Sequence, residues 1–287
     1  MLPVADVRIV TGTPATIAGA IYDQEGDPVA DPGAVTVGVV NLAGGTVVNP
    51  GSSTGTLTAS PALRTVELEA PDDVDLYTVT WSAGASSSRT LVEVAGRHYA
   101  GPQAIRASDP VLSDPGQYPD ARLIQARRAV EDEFERVIGY ALVPRVGVHE
   151  ELVDQARNVT LPHQLVRTIR SVTFTPSGTS TPITVAHELD AGAGTVRIPR
   201  TGAGLVRVVY THGLDRPTGE ALDAFFTRAR DVIHRDNRGL SDRLTTFTSD
   251  VGGTYSLAVA GRGGSLTGIP DVDVVLRGLS RGTPGIG

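Results

Sequence analysis

PDARLIQARRAVEDEFERVI, running from Pro119 to Ile138, has no Gly or Pro after its first residue and stops at Gly139. Proline suits a first helical turn and glycine a C-terminal cap. Leu123, Val130, Phe134, Val137 and Ile138 recur at three- and four-residue spacing along one side, and Arg127, Arg128, Glu131, Asp132 and Glu135 are expected to cover the other. The reading is an amphipathic helix of roughly five turns. A second helix is predicted from about Thr218 to Asn237, with Ala221, Leu222, Phe225, Phe226, Ala229, Val232 and Ile233 as a wide apolar stripe. Between the two the period returns to two, so Thr168 to Phe174, Gly194 to Ile198 and Leu205 to Tyr210 read as strands, with a turn-rich tip at Thr175 to Thr181. Arg243 to Ser249 and Thr254 to Ala260, joined by Asp250-Val251-Gly252-Gly253, read as a hairpin. Ile269 to Leu276, with a proline and two early aspartates, suits a short helix. The last residues, RGLSRGTPGIG from Arg277, are too glycine-rich to fold alone and are expected to form an extended tail that a partner orders.

Upstream of the first helix the character changes. Residues 99–118, rich in Pro, Gly, Ser and Asp, read as a linker, and residues 1–98 as short β-prone runs: Ala15 to Tyr22, Ala34 to Leu42, Arg64 to Ala70, Leu76 to Trp81 and Arg89 to Val94. Val35-Thr36-Val37-Gly38-Val39 and Tyr77-Thr78-Val79-Thr80-Trp81 alternate apolar with small or polar residues, and turn signals such as Asp27-Pro28 and Gly44-Gly45 separate the runs. The expected fold is an all-β, antiparallel sandwich of about six or seven strands, which resembles immunoglobulin-like or fibronectin-like modules, followed by an α+β domain over 119–276 and a tail over 277–287. Tyr77 and Trp81 share one face of a strand and are expected to fill the sandwich core; a sugar-binding platform is the alternative.

The chain has 287 residues, no cysteine, and 25 cationic side chains that are all arginine. Disulfides, thiolate metal sites and cysteine nucleophiles are excluded, as are a Walker-type phosphate lysine and a Schiff-base lysine. The net charge of -7 argues against a free-standing nucleic-acid binder. The start, MLPVADVRIV, is interrupted by Asp6 and Arg8 and does not read as a signal peptide, and no apolar run approaches the roughly 18–20 residues of a membrane span. The protein is expected to be made and used in a cytoplasm, or carried out of one inside a larger particle, with no membrane partner.

Four blocks then fall in a characteristic order. The helix ends Phe134-Glu135-Arg136-Val137-Ile138-Gly139-Tyr140-Ala141-Leu142-Val143-Pro144-Arg145 and leads into strands. Val208-Val209-Tyr210-Thr211-His212-Gly213-Leu214-Asp215-Arg216-Pro217 precedes the second helix; Gly253-Thr254-Tyr255-Ser256-Leu257-Ala258 ends the hairpin; and Thr267 to Leu276 closes the series. In this order and spacing the chain resembles the head-to-tail adaptor, or connector, proteins of long-tailed actinobacteriophages, many of which lack the sandwich at the front. The resemblance implies a structural virion protein at the head–tail junction, assembled in the host cytoplasm. It implies a homo-oligomeric ring, expected to be a dodecamer, between the portal protein and a stopper or tail-completion protein. Genomic DNA would pass through its lumen without sequence-specific binding, and neither catalysis nor a cofactor is implied. It also implies that the carboxy-terminal segment reaches the portal or a neighbouring subunit, with Ile269, Asp271, Val275, Leu276, Leu279, Arg281 and Ile286 as candidate contacts.

Twelve copies at -7 each would carry about -84, so acidic side chains lining a bore would repel phosphate and let DNA slide. Arg127, Arg128, Glu131, Asp132 and Glu135 could then meet between subunits, where guanidinium forks engage carboxylates; a merely solvated helix face is the alternative. Enzyme motifs fail on inspection. Gly263-Gly264-Ser265-Leu266-Thr267 lacks the last glycine of a nucleophile elbow, and His149-Glu150-Glu151-Leu152-Val153 has valine where a zincin needs its second histidine. Asp23, Glu25 and Asp27 are spaced like a calcium loop but lack its glycine and final glutamate, so a hairpin turn accounts for them. Gly192-Ala193-Gly194 lacks the third glycine of a dinucleotide fingerprint and reads as a turn between strands. The six histidines have no i, i+3 or i+4 pair, and His212 is expected to tie down a turn. A second function remains open from the residues alone: a ligand- or host-surface-binding module carrying its sandwich on an α+β base.

Overall fold

The structure, a computed structural model of the 287-residue chain, describes residues 6–235 apart from 24, 26, 30–32, 53, 57–62, 155–157 and 200–201, together with 246–249, 253–256 and 266–281. The fold is mixed α+β and divides into two compact units, residues 1–97 with 143–213, and 98–142 with 214–287.

The first unit begins with β1 (Val7–Val10), β2 (Ala15–Ala20), β3 (Thr36–Val40), β4 (Thr46–Ser52), β5 (Thr54–Thr56), β6 (Leu63–Leu68), β7 (Asp75–Ala83) and β8 (Ser86–Ala95). They form two sheets, β1-β8-β7-β3-β4 and β2-β6-β5. Alternation puts Ile17 and Leu68 from one sheet and Val39, Val79, Trp81 and Val94 from the other into a single apolar cluster. Tyr77 is buried in the same cluster. One pairing departs from the antiparallel expectation: β1 runs parallel to β8, Val7 opposite Val92. The turn at Gly12, with φ of 71°, carries the chain from β1 in one sheet to β2 in the other, so β1 is free to pair with a strand remote in sequence.

The Trp81 indole is fully buried and its N–H donates to Thr90 Oγ1 at 3.1 Å. Gly19 leaves room for that ring, since a Cβ there would stand 2.2 Å from Trp81 Cε2. Gly19→Ala is therefore expected to lower stability by about 1–3 kcal/mol in urea titration. Gly101→Ala, whose Cβ meets no atom within 4 Å, should leave the midpoint unchanged.

The same unit continues with β9 (Arg145–Asp154), β10 (Asn158–Thr160), β11 (Val166–Pro176), β12 (Ile183–Thr184), β13 (Glu188–Asp190), β14 (Thr195–Arg197) and β15 (Ala203–His212). Sheets β12-β11-β15-β9 and β10-β14-β13 enclose a second core that includes Val172, Phe174, Val196, Val206, Val208 and Tyr210. Val146 and Val209, on the opposite face of the larger sheet, cluster with Leu76 of β7. Polar links join the same two parts: Glu93 accepts from Arg8 at 2.6 Å and lies 3.4 Å from Arg145, Arg170 bonds Asp73, and Gly96 N donates to Pro144 O at 2.9 Å.

In the second unit, residues 99–118 are not a plain linker. They contain α1 (Pro102–Ala107) and a 3-10 turn at Pro110–Ser113, which put Ile105 and Leu112 out of solvent. Each starts on a proline, the feature that suggested a loop. Helix α2 (Asp120–Ile138) matches its sequence reading, with Pro119 at the N-cap and Gly139 closing it at φ 83° while its N–H bonds Glu135 O. Helix α3 (Gly219–Arg235), the antiparallel pair β16 (Thr246–Ser249) and β17 (Gly253–Ser256), and α4 (Pro270–Arg281) follow. Residues 243–245 and 257–260 of the expected hairpin lie outside the described residues.

Helix α4 does not stop at Leu276. Val272 and Leu276 are buried and Leu279 is half-buried, continuing one stripe past Gly278, and Tyr140 Oη donates to Leu279 O at 3.3 Å. That packing outweighs the roughly 1 kcal/mol that glycine costs inside a helix. The tail expected from Arg277 is thus helical as far as Arg281. Among the described residues no helix is long and apolar enough to cross a membrane.

Candidate functional site

The charged side chains of α2 divide into two groups. Arg127 and Glu131, expected on the solvent side, are buried at 5% and 0% exposure, with Nε and Oε1 3.9 Å apart. The correction has a physical reason: α1, α3 and α4 all pack on α2, so more of its circumference is covered than one apolar stripe implies. Glu131 Oε1 accepts the Tyr99 N–H at 2.8 Å, and Tyr99 Oη donates to Glu135 at 3.2 Å. Arg128, Asp132 and Glu135 are half-buried.

A second polar knot was not anticipated. Arg228, 5% exposed on α3, sends Nε and Nη2 to the two carboxylate oxygens of Glu133 at 2.8 and 3.0 Å and Nη1 to Asp231 at 2.8 Å. This is bidentate pairing across two helices. Its signal in the sequence was an arginine within the apolar stripe, three residues after Phe225 and three before Asp231. Arg122 Nη2 donates to Ile233 O at 2.7 Å near the end of α3, and His234 Nε2 lies 3.2 Å from Asp109. The Val111 N–H, aided by His234 and Arg230, holds the Asp109 carboxyl below its ordinary value.

The start of α4 is fastened from within. Asp273, buried, accepts the Leu266 N–H at 2.9 Å, the Thr267 N–H at 2.8 Å and the Thr267 hydroxyl at 2.7 Å. Of the candidate contacts, Asp271 is exposed and Ile269, Val275 and Leu279 are half-buried, whereas Leu276 is wholly internal. Nothing is described of the Arg281 side chain, and Ile286 lies outside the described residues. Val274, 68% exposed beside them, was not among the candidates.

The discarded motifs settle into ordinary roles. Asp23 Oδ1 accepts the Asp27 N–H at 2.8 Å in a turn, and Asp190 Oδ1 accepts the Ala193 N–H at 3.0 Å in another. His149 to Val153 lie in β9. Ser265 lies outside the described residues. Among the described residues no three His, Asp or Glu side chains gather as a metal site. A cleft of about 650 Å³ in the first unit is lined by Asp75, Arg170, Arg207, hydroxyl groups and apolar residues such as Leu42 and Leu205.

The charge is unevenly placed. Residues 1–97 hold 11 Asp and Glu against four Arg, while residues 98–287 hold 21 of each sign. The whole surplus of -7 therefore sits in the first stretch.

No family model matches the chain, and no curated protein matches it. Among solved structures it is similar to a chain of one described as the neck of an empty GTA particle computed with C6 symmetry. Identity is 16% and the TM-score 0.39, over 54% of this chain and 85% of that one.

Proposed function

We propose that the protein is a non-enzymatic structural subunit of a phage-type head–tail connector. One observation carries the reading: the four blocks that gave the resemblance fall, in order, on the α2-to-β9 passage, the β15-to-α3 passage, the β16–β17 hairpin and α4. Helices from the two ends of the adaptor segment thus form one body, while a strand-rich segment is inserted between α2 and α3. Residues 119–276 are the adaptor domain and 99–118 its lead-in; 277–287 form its terminal segment. Residues 1–98 are an immunoglobulin-like accessory. Two sheets, β2-β6-β5 and β1-β8-β7-β3-β4, that share one apolar cluster support that assignment.

The partners are further copies of the chain in a ring of twelve, the portal protein on one side and a stopper or tail-completion protein on the other, at the head–tail junction of a virion. Ile269, Asp271, Val275, Leu279, Arg281 and Ile286 are the portal or subunit contacts, and Leu276 supports them from inside. Arg128, Asp132 and Glu135 are the inter-subunit charges. Genomic DNA passes through the lumen. Because residues 98–287 are electrically balanced, a bore built from them slides past phosphate without net attraction, and the -7 surplus belongs to the accessory.

Negative-stain electron microscopy and native mass spectrometry of the protein with and without its portal test the reading. Twelve-subunit rings seated on the portal are expected. A monomer indifferent to the portal would overturn it and favour the alternative of a ligand- or host-surface-binding module.

A further inference from the structure

We propose that the stacked pair His163–His212 is a pH-operated latch that holds residues 161–165 against the end of β15 at neutral pH and releases them in acid. The two imidazoles lie face to face, centroids 3.9 Å apart and planes 8° from parallel. His163 Nδ1 is 2.6 Å from Tyr210 Oη, and the Tyr210 ring is seated against Gly147, where a Cβ would fall 2.5 Å from Cζ. His212 is 5% exposed, and its Nδ1 has no hydrogen-bond partner among the described residues. The segment they secure is under strain, because Leu165 holds φ at 55°, a region costly for a branched side chain. Two backbone bonds complete the closure, Gly213 N to Leu165 O at 3.1 Å and Leu161 N to Gly194 O at 2.9 Å.

The surroundings are set against added positive charge. The β9–β15 register puts Arg145, itself buried, opposite His212. Its neighbour Glu93 on β8 also takes Arg8 from β1. His149 on β9, 3.4 Å from Glu151, bears on His163 from the same sheet, and Tyr210 contributes a phenol that burial keeps protonated. Burial, then His163 and Arg145, push His212 down to about 2; burial, then His149, lower His163. Released into water, each ring would titrate near 6.5. Protons therefore bind the open segment in preference: closure is fully supported above about pH 6.5 and weakens as pH falls below it. At pH 4.5 a single exposed histidine favours opening by a factor of about 100.

Amide hydrogen exchange on the full chain at pH 7.5 and 4.5, corrected for intrinsic rates, reads this directly. Protection of the Gly213 amide should fall at least about 100-fold, the share of one histidine, while Val172 and Val208 in the same sheet keep theirs. His163→Phe and His212→Phe retain a flat ring that takes no proton, and each should shrink the pH dependence. Unchanged Gly213 protection in acid, an equal fall in both variants, or Val208 falling in step with Gly213 would overturn the latch. If the variants do not fold, the imidazole carbon resonances of the wild type decide: both rings titrating near 6.5 would also overturn it.

Discussion

Trp81→Ala lowers the stability of the first unit by about 3–5 kcal/mol in urea titration, the range for emptying a fully enclosed aromatic site. Several losses add. The indole fills the cluster shared by both sheets, and Gly19 already gives up its side-chain space to it, so the strand opposite has no group that can move into the void. Thr90 also loses its N–H donor. Trp81→Phe restores most of the volume without the donor and should recover more than half of the loss. Because the chain has one tryptophan, wild-type fluorescence reports this core alone, and the variants must be followed by circular dichroism. A loss below about 1 kcal/mol would mean that the ring is not core-filling and would reopen the sugar-platform reading.

Arg228→Ala should cost the second unit about 3–5 kcal/mol, the penalty for removing one side of a buried ion pair. Glu133 and Asp231, 15% and 18% exposed, would keep their negative charges with the shared guanidinium gone. The loss thus comes from the carboxylates left behind more than from the bond itself. Arg228→Lys should rescue little, since an ammonium cannot reproduce the fork that meets both Glu133 oxygens. Combining Arg228→Met with Glu133→Leu and Asp231→Asn should recover most of it, because an apolar contact replaces the pair. Thermal unfolding of the four proteins separates these outcomes; a single alanine variant within 1 kcal/mol of wild type would show the knot to be dispensable.

What the sequence revealed depended on the range of each interaction. Helix α2 was legible to its ends because Pro119 and Gly139 act on the backbone within one turn. The strands around Val37, Val79 and Val172 were legible from alternation. The parallel partner of β1 was not, because strand pairing depends on a segment some eighty residues away. Burial of Arg127 and Glu131 escaped because periodicity describes one packed face, and α2 is packed on several. The extension of α4 through Gly278 depended on packing against residues remote in sequence, among them Tyr140, which also bonds Leu279 O. His163 and His212 met only because a loop returns to the end of β15. The candidate contacts on α4 came from the resemblance, and of these Leu276 is taken up by the core of the second unit.

Neither compact unit is a continuous stretch of chain, and this sets the order in which the protein can come into being. Helix α2 is synthesised before any of α3 exists, with residues 139–218 still to be made between them. At about 5–20 residues per second, the side of α2 that carries Leu123, Val130 and Phe134 waits several seconds for Phe225. During that wait the first unit is also open, since its second core needs residues as late as Tyr210. The first unit's second core therefore closes late and the second unit, which also needs α4, later still, so a ribosome-bound fragment ending before β15 presents two unfinished apolar surfaces to whatever chaperone meets it.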